Sequence, residues 1–341
     1  MSSGKTRVTL TVDVETSMGG AWRYPDRRPL SIDKAIFCKR GDTSYGLPLI
    51  VEELSKYGFG ATFFTEVFFS QCLGADQAKI VFDYLLHAGQ DIQLHTHPVF
   101  HYHSLALKEG TTEAFGRYRA LGDALNDKDL ETQYALLAEA SELFRTFGGE
   151  RPVAFRAGGF LGDHNTLAAL RRLGIAIDSS YNPSMASSFP KSRPLANVVQ
   201  KIDGVIEMPL TTAMSGLGGA RGWKPMAISS LSFAELKNVL MQAHTAGVRD
   251  VVVIFHSFST VKPRDVFYSS LRPDRMVIAR FRRLLRYLAE ESSRFEVTTI
   301  RNAALNPERF EFGQRIPQLD LGFVKPFIRK SAQALNRVYW I

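Results

Sequence analysis

The hydrophobic positions of this chain form short, nearly continuous apolar runs that alternate with longer amphipathic stretches. Such runs are typical of strands buried on both faces. Eight runs fit this pattern, at residues 7–15, 60–64, 91–95, 152–157, 175–180, 204–210, 251–257 and 295–300. Apolar positions at helical spacing occur between most of them, at 45–57, 73–89, 129–147, 163–173, 231–247 and 273–292. The pattern therefore predicts a repeated strand-then-helix order.

This order predicts parallel strands joined by crossover helices. About seven such units favour an α/β fold, a deformed (β/α) barrel of parallel strands. An open, doubly wound sheet is the alternative. Three long connections, 16–44, 98–128 and 181–203, leave the same barrel end. Connections longer than about 12–15 residues are usually functional or mobile, so these loops are expected to shape a substrate cleft.

Polar residues of catalytic types stand at or just after the carboxyl ends of the predicted strands. They are Asp13, Glu15, His95, His97, Arg156, Asp178 and His256. In a parallel barrel, active sites are built at this end of the strands. The pattern therefore predicts an active site formed by several strands together.

The composition narrows the class of protein. The chain has 341 residues, 45% hydrophobic and 22% charged, which are ordinary globular values. It contains two cysteines, Cys38 and Cys72, too few for a disulfide framework or a cysteine-based zinc site, although one disulfide between them stays open. We find neither a run of about 20 apolar residues nor the apolar core of a signal peptide. A cytoplasmic protein is expected.

The net charge of +8 raises the question of an anionic partner. No glycine-rich phosphate loop, zinc finger or RNA-binding aromatic motif occurs, so nucleic acid is not expected. The chain divides into a barrel at 1–305 and a basic tail at 306–341. Apolar residues recur at helical spacing in the tail, accompanied by basic ones: Phe327, Ile328, Arg329, Lys330, Ala332, Leu335, Arg337 and Tyr339. Such a helix either packs on the barrel or a second subunit, or contacts an anionic membrane.

Residues 91–103, "DIQLHTHPVFHYH", hold four of the eight histidines. A histidine-rich solvated loop is one interpretation, and a metal site is the other, because imidazole is the commonest protein metal ligand. Of the two later histidines in this stretch, His101 is a candidate ligand. His103 is predicted to be surface or cleft lining, and His87, His164 and His244 are predicted to be ordinary helix-surface or structural residues.

Five short segments, taken together, resemble a known family. "TVDVE", "QDIQLHTH", "FRAGG", "IDSS" and "VIFHS" occur in the order and spacing of the polysaccharide deacetylases with a NodB-homology domain, carbohydrate esterase family four. The resemblance covers roughly residues 7–300. It implies a deformed barrel, a divalent metal and hydrolysis of N-acetyl groups on sugars.

The first motif of the family usually has two adjacent aspartates. Asp13 matches the first, which implies the general base, whereas the second, normally a metal ligand, is Val14 here. Glu15 lies one residue further and points to the same face of a strand as Asp13. Glu15 is therefore the expected carboxylate ligand.

The second motif is normally His-Thr followed by a histidine four residues after the first. His95 fits, but the later position is Val99. We favour His97 as the second ligand, because a strand-end pair needs no assumption about the chain after Pro98, and His101 is the alternative. Two histidines and one carboxylate suit zinc or another divalent ion.

The remaining motifs imply the other members of the site. Arg156 matches an arginine that pairs with the catalytic base, and Gly159 matches the position whose N–H binds the oxyanion. The family usually has proline and an aromatic residue after this arginine, so the glycines here predict a lost cleft wall. His256 would be the general acid, with Asp178 holding its tautomer.

These expectations lead to one function with two alternatives. The first is metal-assisted removal of an N-acyl group, acetyl or formyl, from an amino sugar, as in an intracellular or lipid-linked glycan precursor at the inner membrane face. The second is an amidohydrolase of the same fold acting on small molecules, as allantoinase-like relatives do. The third is a catalytically silent module that binds carbohydrate or lipid.

Overall fold

The computed structural model describes residues 4–24, 27–148, 150–217, 220–312 and 316–322. The strands are β1 (Thr6–Val14), β2 (Lys39–Arg40), β3 (Thr43–Ser44), β4 (Thr62–Glu66), β5 (Asp91–Thr96), β6 (Ala154–Ala157), β7 (Ile177–Asp178), β8 (Gln200–Ile202), β9 (Val205–Glu207), β10 (Thr212–Leu217), β11 (Ala220–Pro225), β12 (Asp250–His256), β13 (Val261–Pro263), β14 (Leu271–Pro273) and β15 (Phe295–Thr298). The α-helices are α1 (Ile32–Ala35), α2 (Leu47–Ser55), α3 (Phe69–Leu73), α4 (Ala75–His87), α5 (Pro98–Glu109), α6 (Thr112–Ala120), α7 (Leu130–Gly148), α8 (His164–Leu173), α9 (Phe233–Thr245), α10 (Arg275–Glu290) and α11 (Ile300–Leu305).

A nine-stranded sheet organises the molecule, in the order β12-β1-β4-β5-β6-β7-β9-β8, with β15 beside the first half of β1. The pairs within it are parallel except that of β8 with β9. Each of the eight predicted apolar runs overlaps a strand of this sheet. The predicted deformed barrel is therefore confirmed, with an antiparallel strand added at one edge.

The sheet curls, and an irregular segment bridges the gap between β9 and β12. The N–H of Thr211 donates to the carbonyl of Val252 at 3.2 Å, and that of Ile254 donates to the carbonyl of Met226 at 3.0 Å. These bonds satisfy polar backbone groups that an open sheet edge would leave unpaired. The interior of the barrel is consequently enclosed on this side as well.

Strand β1 explains how polar residues come to lie inside the barrel. All nine residues of β1 are buried. Val8, Leu10 and Val12 pack in the main core with the helices. Because side chains alternate along a strand, Thr11 and Asp13 point the other way, into the barrel. One face of the strand thus builds the core and the other face supplies the site.

The helices cover the outside of the sheet at the predicted places. Helix α8 begins with a capping box between Asp163 and Thr166 and ends at Gly174, which has a left-handed conformation (φ 74°). Helix α9 begins with a second capping box, between Ser232 and Glu235. Both boxes satisfy N–H groups that the first turn of a helix leaves unpaired.

The long connections contain structure that the sequence pattern did not predict. Connection 98–128 forms α5 and α6, and connection 16–44 forms α1 and the β2–β3 hairpin. Helix α6 has only two buried residues, Ala114 and Phe115, so its apolar stripe is too narrow for periodicity to identify. Cys38 and Cys72 are both free thiols, which excludes the single disulfide left open above.

The described part of the segment after residue 305 packs on the barrel. Leu319 and Leu321 are buried, and their backbones exchange hydrogen bonds with Met214 on β10 at 2.8 and 2.9 Å. The amphipathic tail predicted at 327–339 lies outside the described residues. Within the described ranges, no helix has the length and apolar character needed to cross a membrane.

Candidate active site

Four strand ends meet at one mouth of the barrel and carry the predicted site residues. Asp13 on β1 stands beside His256 on β12, and His95 on β5 stands beside Arg156 on β6. Parallel strands in register bring these side chains to the same level. Glu15 and His97 follow directly after β1 and β5.

Three of these residues converge as a donor set for a cation. Ligand atoms of Glu15, His95 and His97 all lie within 4.8 Å of one another. Oε2 of Glu15 is 3.1 Å from Nε2 of His95 and 2.6 Å from Nε2 of His97. The two imidazole rings stand edge to face, with centroids 5.0 Å apart. The chain thus groups the carboxylate and the two histidines that the sequence proposed as ligands.

The hydrogen bonds on the far side of each ring test whether a cation fits. Nδ1 of His95 lies 2.7 Å from the carbonyl oxygen of Arg156, and Nδ1 of His97 lies 2.5 Å from Oδ2 of Asp123. Both partners accept hydrogen bonds, so each Nδ1 carries the proton. In the neutral rings both Nε2 lone pairs then point at one carboxylate oxygen. Such an arrangement repels itself unless a cation or extra protons occupy its centre, so the residues fit a divalent metal.

The ionisation of the donors reflects the same crowding. Burial alone would raise the pKa of Glu15, but the neighbouring His97, His95 and His256 hold that pKa well below its usual range. Burial alone would lower the pKa of His97, but the charges of Glu15 and Asp123 hold it well above its usual range. In the metal-free protein, these shifts favour a protonated His97 whose positive charge balances the carboxylate of Glu15.

Asp13 is fixed by a buried ion pair. Nη1 of Arg156 is 2.6 Å from Oδ1 of Asp13 and 3.0 Å from the hydroxyl of Thr11. The remaining donors of the guanidinium reach the carbonyl and the hydroxyl of Ser179 at 3.1 and 3.0 Å. Arg156 is completely buried and Asp13 nearly so. The guanidinium thus holds the Asp13 carboxylate in one orientation.

His256 faces both carboxylates from the opposite side. Its Nε2 is 3.9 Å from Oδ2 of Asp13 and 3.9 Å from Oε1 of Glu15. These distances are too long for hydrogen bonds. The side chain is 30% exposed, more than the buried members of the site, so a molecule entering from solvent can reach it.

Asp178 does not lie against His256, contrary to the sequence expectation. Asp178 is in register with Phe155, whereas the next residue, Arg156, faces the barrel interior. Asp178 therefore points to the opposite face of the sheet. There it accepts a hydrogen bond from the hydroxyl of Ser180 at 2.6 Å and contacts the carboxyl of Glu207. No ion pair joins Asp178 to His256 within the described part of the chain.

The other two histidines of the cluster point away from the donor set. The chain does turn helical at Pro98, and His101 on α5 lies 3.1 Å from the side-chain oxygen of Gln71. His103 is fully buried against Trp22, and burial lowers its pKa to about 4. The prediction that His103 lies at the surface or lines the cleft is therefore wrong, because α5 turns this residue inward.

The turn after Arg156 differs from the sequence expectation in one respect. Gly159 is the position proposed to bind the oxyanion. It is exposed and adopts a left-handed conformation (φ 58°). Phe160 follows, also left-handed (φ 61°), with its ring centroid 5.8 Å from the guanidinium of Arg156. An aromatic wall is therefore present, displaced to Phe160. Phe160 is visible in the sequence directly after the two glycines, but only the conformation of the turn shows that its ring lies over Arg156.

Sequence analysis missed three residues that support His97. Asp123 holds Nδ1, as described above. Glu66, at the end of β4, is fully buried; it accepts hydrogen bonds from the N–H groups of Phe68 and Phe69 and, at 3.4 Å, of His97. Burial raises the pKa of Glu66 to about 7. A carboxylate at a strand end was a usable signal for Glu66, whereas nothing in the sequence distinguishes Asp123.

Gly158 is the third supporting residue. A Cβ at this position would lie 2.6 Å from Nδ1 of His97 and 2.6 Å from the carbonyl oxygen of Thr96. Only glycine leaves room for the imidazole at this distance. The pair of glycines that replaces the family's proline and aromatic residue thus has a structural reason in this chain.

The fold is that of the polysaccharide deacetylases. The chain matches the crystal structure of a proposed polysaccharide deacetylase from Mycobacterium smegmatis with a TM-score of 0.56 and 15% sequence identity, over 94% of this chain and 97% of that one. It matches Puue allantoinase with a TM-score of 0.52 and 12% identity, over 89% and 90% of the two chains. These likenesses confirm the predicted barrel and its resemblance to the family at the level of the fold.

The likeness to these proteins is one of structure and does not extend to the sequence. No protein-family model matches it, and no curated protein matches it. The shared barrel is common to a deacetylase and to an allantoinase, so the reaction has to be argued from the site.

Proposed function

We propose that this protein is a metal-dependent hydrolase that removes an N-acyl group, acetyl or formyl, from an amino sugar. One observation carries the proposal. A three-residue donor set, an arginine-fixed carboxylate and a solvent-accessible imidazole share one mouth of the barrel, with Nε2 of His256 at 3.9 Å from both Asp13 and Glu15. Amide hydrolysis is accelerated by a base, an acid and a stabiliser of the developing charge placed around one reacting group.

Glu15, His95 and His97 would hold the divalent ion, and zinc suits two imidazoles and one carboxylate with positions left open. When bound, the ion supplies polarisation of a carbonyl and acidification of a water molecule. The three residues direct their lone pairs at one point. The hydrogen bonds of the two histidine Nδ1 atoms, to Arg156 and Asp123, prevent the imidazole rings from rotating away from it.

Asp13 is the proposed general base. Arg156 occupies Oδ1 at 2.6 Å, which leaves Oδ2, the oxygen facing His256, to accept a proton from the attacking water. The ion pair prevents the carboxylate from rotating. The water loses its proton as its oxygen bonds to the acyl carbon.

His256 is the proposed general acid, and Gly159 the proposed oxyanion donor. His256 gives a proton to the nitrogen as the C–N bond breaks, so that the sugar leaves as a free amine and the acyl group as acetate or formate. The N–H of Gly159 hydrogen-bonds the oxygen that becomes negative in the tetrahedral state. The ring of Phe160 supplies an apolar wall for the sugar beside these groups.

The test is an assay of the tag-free protein loaded with zinc. Acetate or formate release is measured from N-acetyl and N-formyl amino sugars, with Asp13→Asn as the inactive reference. The proposal predicts release by the wild type and none above background by Asp13→Asn. Hydrolysis of cyclic ureides alone would instead support the allantoinase-like alternative. Sugar binding without turnover of either class would support the silent module.

We also propose that the substrate is a lipid-linked sugar and that the tail contacts an anionic membrane at the inner face. Support comes from the basic and apolar residues that recur at helical spacing in 327–339. Sedimentation with liposomes tests this part separately. Binding should rise with anionic lipid, weaken with salt and disappear on truncation after Leu321. If the full-length and truncated proteins both stay in the supernatant with all liposomes, the tail is structural and the result counts against a lipid-linked substrate.

A further inference from the structure

Asp123 lies in the connection between α6 and α7, far along the chain from the residues it contacts. Its Oδ2 is 2.5 Å from Nδ1 of His97, and its Oδ1 accepts a hydrogen bond from the N–H of Val99 at 3.0 Å. One carboxylate therefore holds both the imidazole and the first turn of α5. These contacts fasten the loop that carries Asp123 to the end of β5.

The placement of Asp123 excludes it from the donor set itself. Both of its oxygens are engaged, and they lie on the Nδ1 side of His97, whereas Nε2 faces Glu15 at 2.6 Å. Asp123 is accordingly not part of the cluster formed by Glu15, His95 and His97. Asp123 therefore supports a bound ion from behind the ring of His97 and not as a ligand.

The two histidines are supported in different ways. His95 is held by the backbone carbonyl of Arg156, a neutral acceptor within the sheet. His97 is held by a charged side chain on a loop, and Gly158, which has no side chain, leaves the space that its Nδ1 occupies. A carboxylate at Nδ1 fixes the tautomer and makes the opposite nitrogen a stronger donor than a carbonyl does.

We propose that Asp123 is the positioning residue of the metal centre: its hydrogen bond to Nδ1 fixes His97 with Nε2 toward Glu15, and its charge strengthens His97 as a ligand. This inference rests on the metal site of the proposed function but not on the reaction or the sugar. Connection 98–128 is consequently part of the metal centre. The affinity for the ion depends on whether this loop keeps Asp123 in contact with His97.

The experiment compares zinc affinity in wild type, Asp123→Ala, Asp123→Asn and the control Asp127→Asn. Asp127 is on the same loop, and its exposed side chain pairs with Lys128 at 2.7 Å and not with His97. Affinity is measured by competition with a chromophoric chelator, using zinc alone as the probe. Asp123→Ala should bind zinc about 10–100-fold more weakly. Asp123→Asn, which keeps an acceptor oxygen but no charge, should lose less, and Asp127→Asn should match the wild type.

A spectroscopic readout separates positioning from a general loss of structure. The zinc-loaded wild type should show a downfield, exchange-protected Nδ1–H proton resonance from His97, and Asp123→Ala should lack it while its metal-free melting temperature stays close to the control's. If Asp123→Ala does not fold, Asp123→Asn provides the comparison. Wild-type affinity in both variants would overturn the inference. Absence of zinc binding by the wild type would overturn the proposed metal site and this inference with it, whereas zinc binding without hydrolysis would count only against the proposed reaction.

Discussion

Arg156 forms an ion pair with Asp13 across the interior of the barrel, at 2.6 Å and 143 positions apart in sequence. The pair joins β6 to β1, which are not neighbours in the sheet. It therefore ties the two sides of the curled sheet together at the level of the site. The same contact that would orient the catalytic base also links strands on opposite sides of the barrel.

Replacing Arg156 with methionine should strongly destabilise the protein. The substitution leaves Asp13 buried without its partner, which typically costs about 3–5 kcal/mol. Urea unfolding at neutral pH measures the change. The double variant Asp13→Asn/Arg156→Met also removes the unpaired buried carboxylate, so it should recover part of the lost free energy of unfolding. Equal stability of Arg156→Met and the wild type would contradict a stabilising role for this buried ion pair.

Asp13→Asn and His256→Ala should each reduce hydrolysis about 10²–10⁴-fold, because each removes one proton-transfer partner. Neither residue belongs to the donor set, so zinc content should be unchanged. Steady-state kinetics and metal analysis on the same preparations check both points. His87→Ala, an exposed residue whose Nδ1 contacts only its own helix, is the matched control. Full activity in Asp13→Asn or His256→Ala would contradict the assigned roles.

The three histidines of the cluster should differ in their effect on metal content. His95→Ala and His97→Ala should each lose the bound ion, because each removes one of three donors. His101→Ala should retain it, because that ring faces Gln71 on α3. Metal analysis of tag-free protein, purified without chelator, distinguishes these outcomes. Loss of metal from His101→Ala alone would assign the second ligand to α5 instead.

Zinc binding at neutral pH should release a proton. In the metal-free protein the carboxylates of Glu15 and Asp123 hold the pKa of His97 well above its usual range despite burial, so the ring is protonated. The ion must displace that proton, and affinity should therefore increase as pH rises toward the pKa of His97. Calorimetry in buffers of different ionisation enthalpy counts the protons. A buffer-independent binding enthalpy would mean that His97 is already neutral.

Glu207→Gln should stabilise the protein at neutral pH but not in mild acid. Burial and the neighbouring Asp178 raise the pKa of Glu207 well above 4.5. The fold keeps the proton that the unfolded chain releases above about pH 4.5, so wild-type stability falls as pH rises from there, by up to about 1.4 kcal/mol per pH unit. Glutamine keeps the acceptor for the Tyr181 N–H and cannot ionise.

Unfolding free energies measured between pH 4.5 and 7 test this prediction. The difference between Glu207→Gln and the wild type should grow with pH across the range. The exposed control Glu290→Gln should follow the wild type throughout. A pH-independent difference would indicate that Glu207 is ionised in the fold.

The sequence by itself determined eight strands of the main sheet and the residues at their ends. Continuous apolar runs identify buried strands, and alternation within "TVDVE" places Asp13 and Glu15 on one face. In a parallel sheet these ends converge, which is why His95, Arg156 and His256 could be named with them. All of this depends on local periodicity and on one rule of barrel architecture.

Only the tertiary structure decided which way the remaining residues face. Asp178 lies on a strand of two residues, and its register with Phe155 turns it away from the barrel interior. His103 is buried because α5 begins directly after His97, and Asp123 reaches His97 from 26 positions away through a loop without periodicity. Register parity and loop closure arise from the packing of whole elements. Neither can be predicted from the local sequence pattern around the residue concerned.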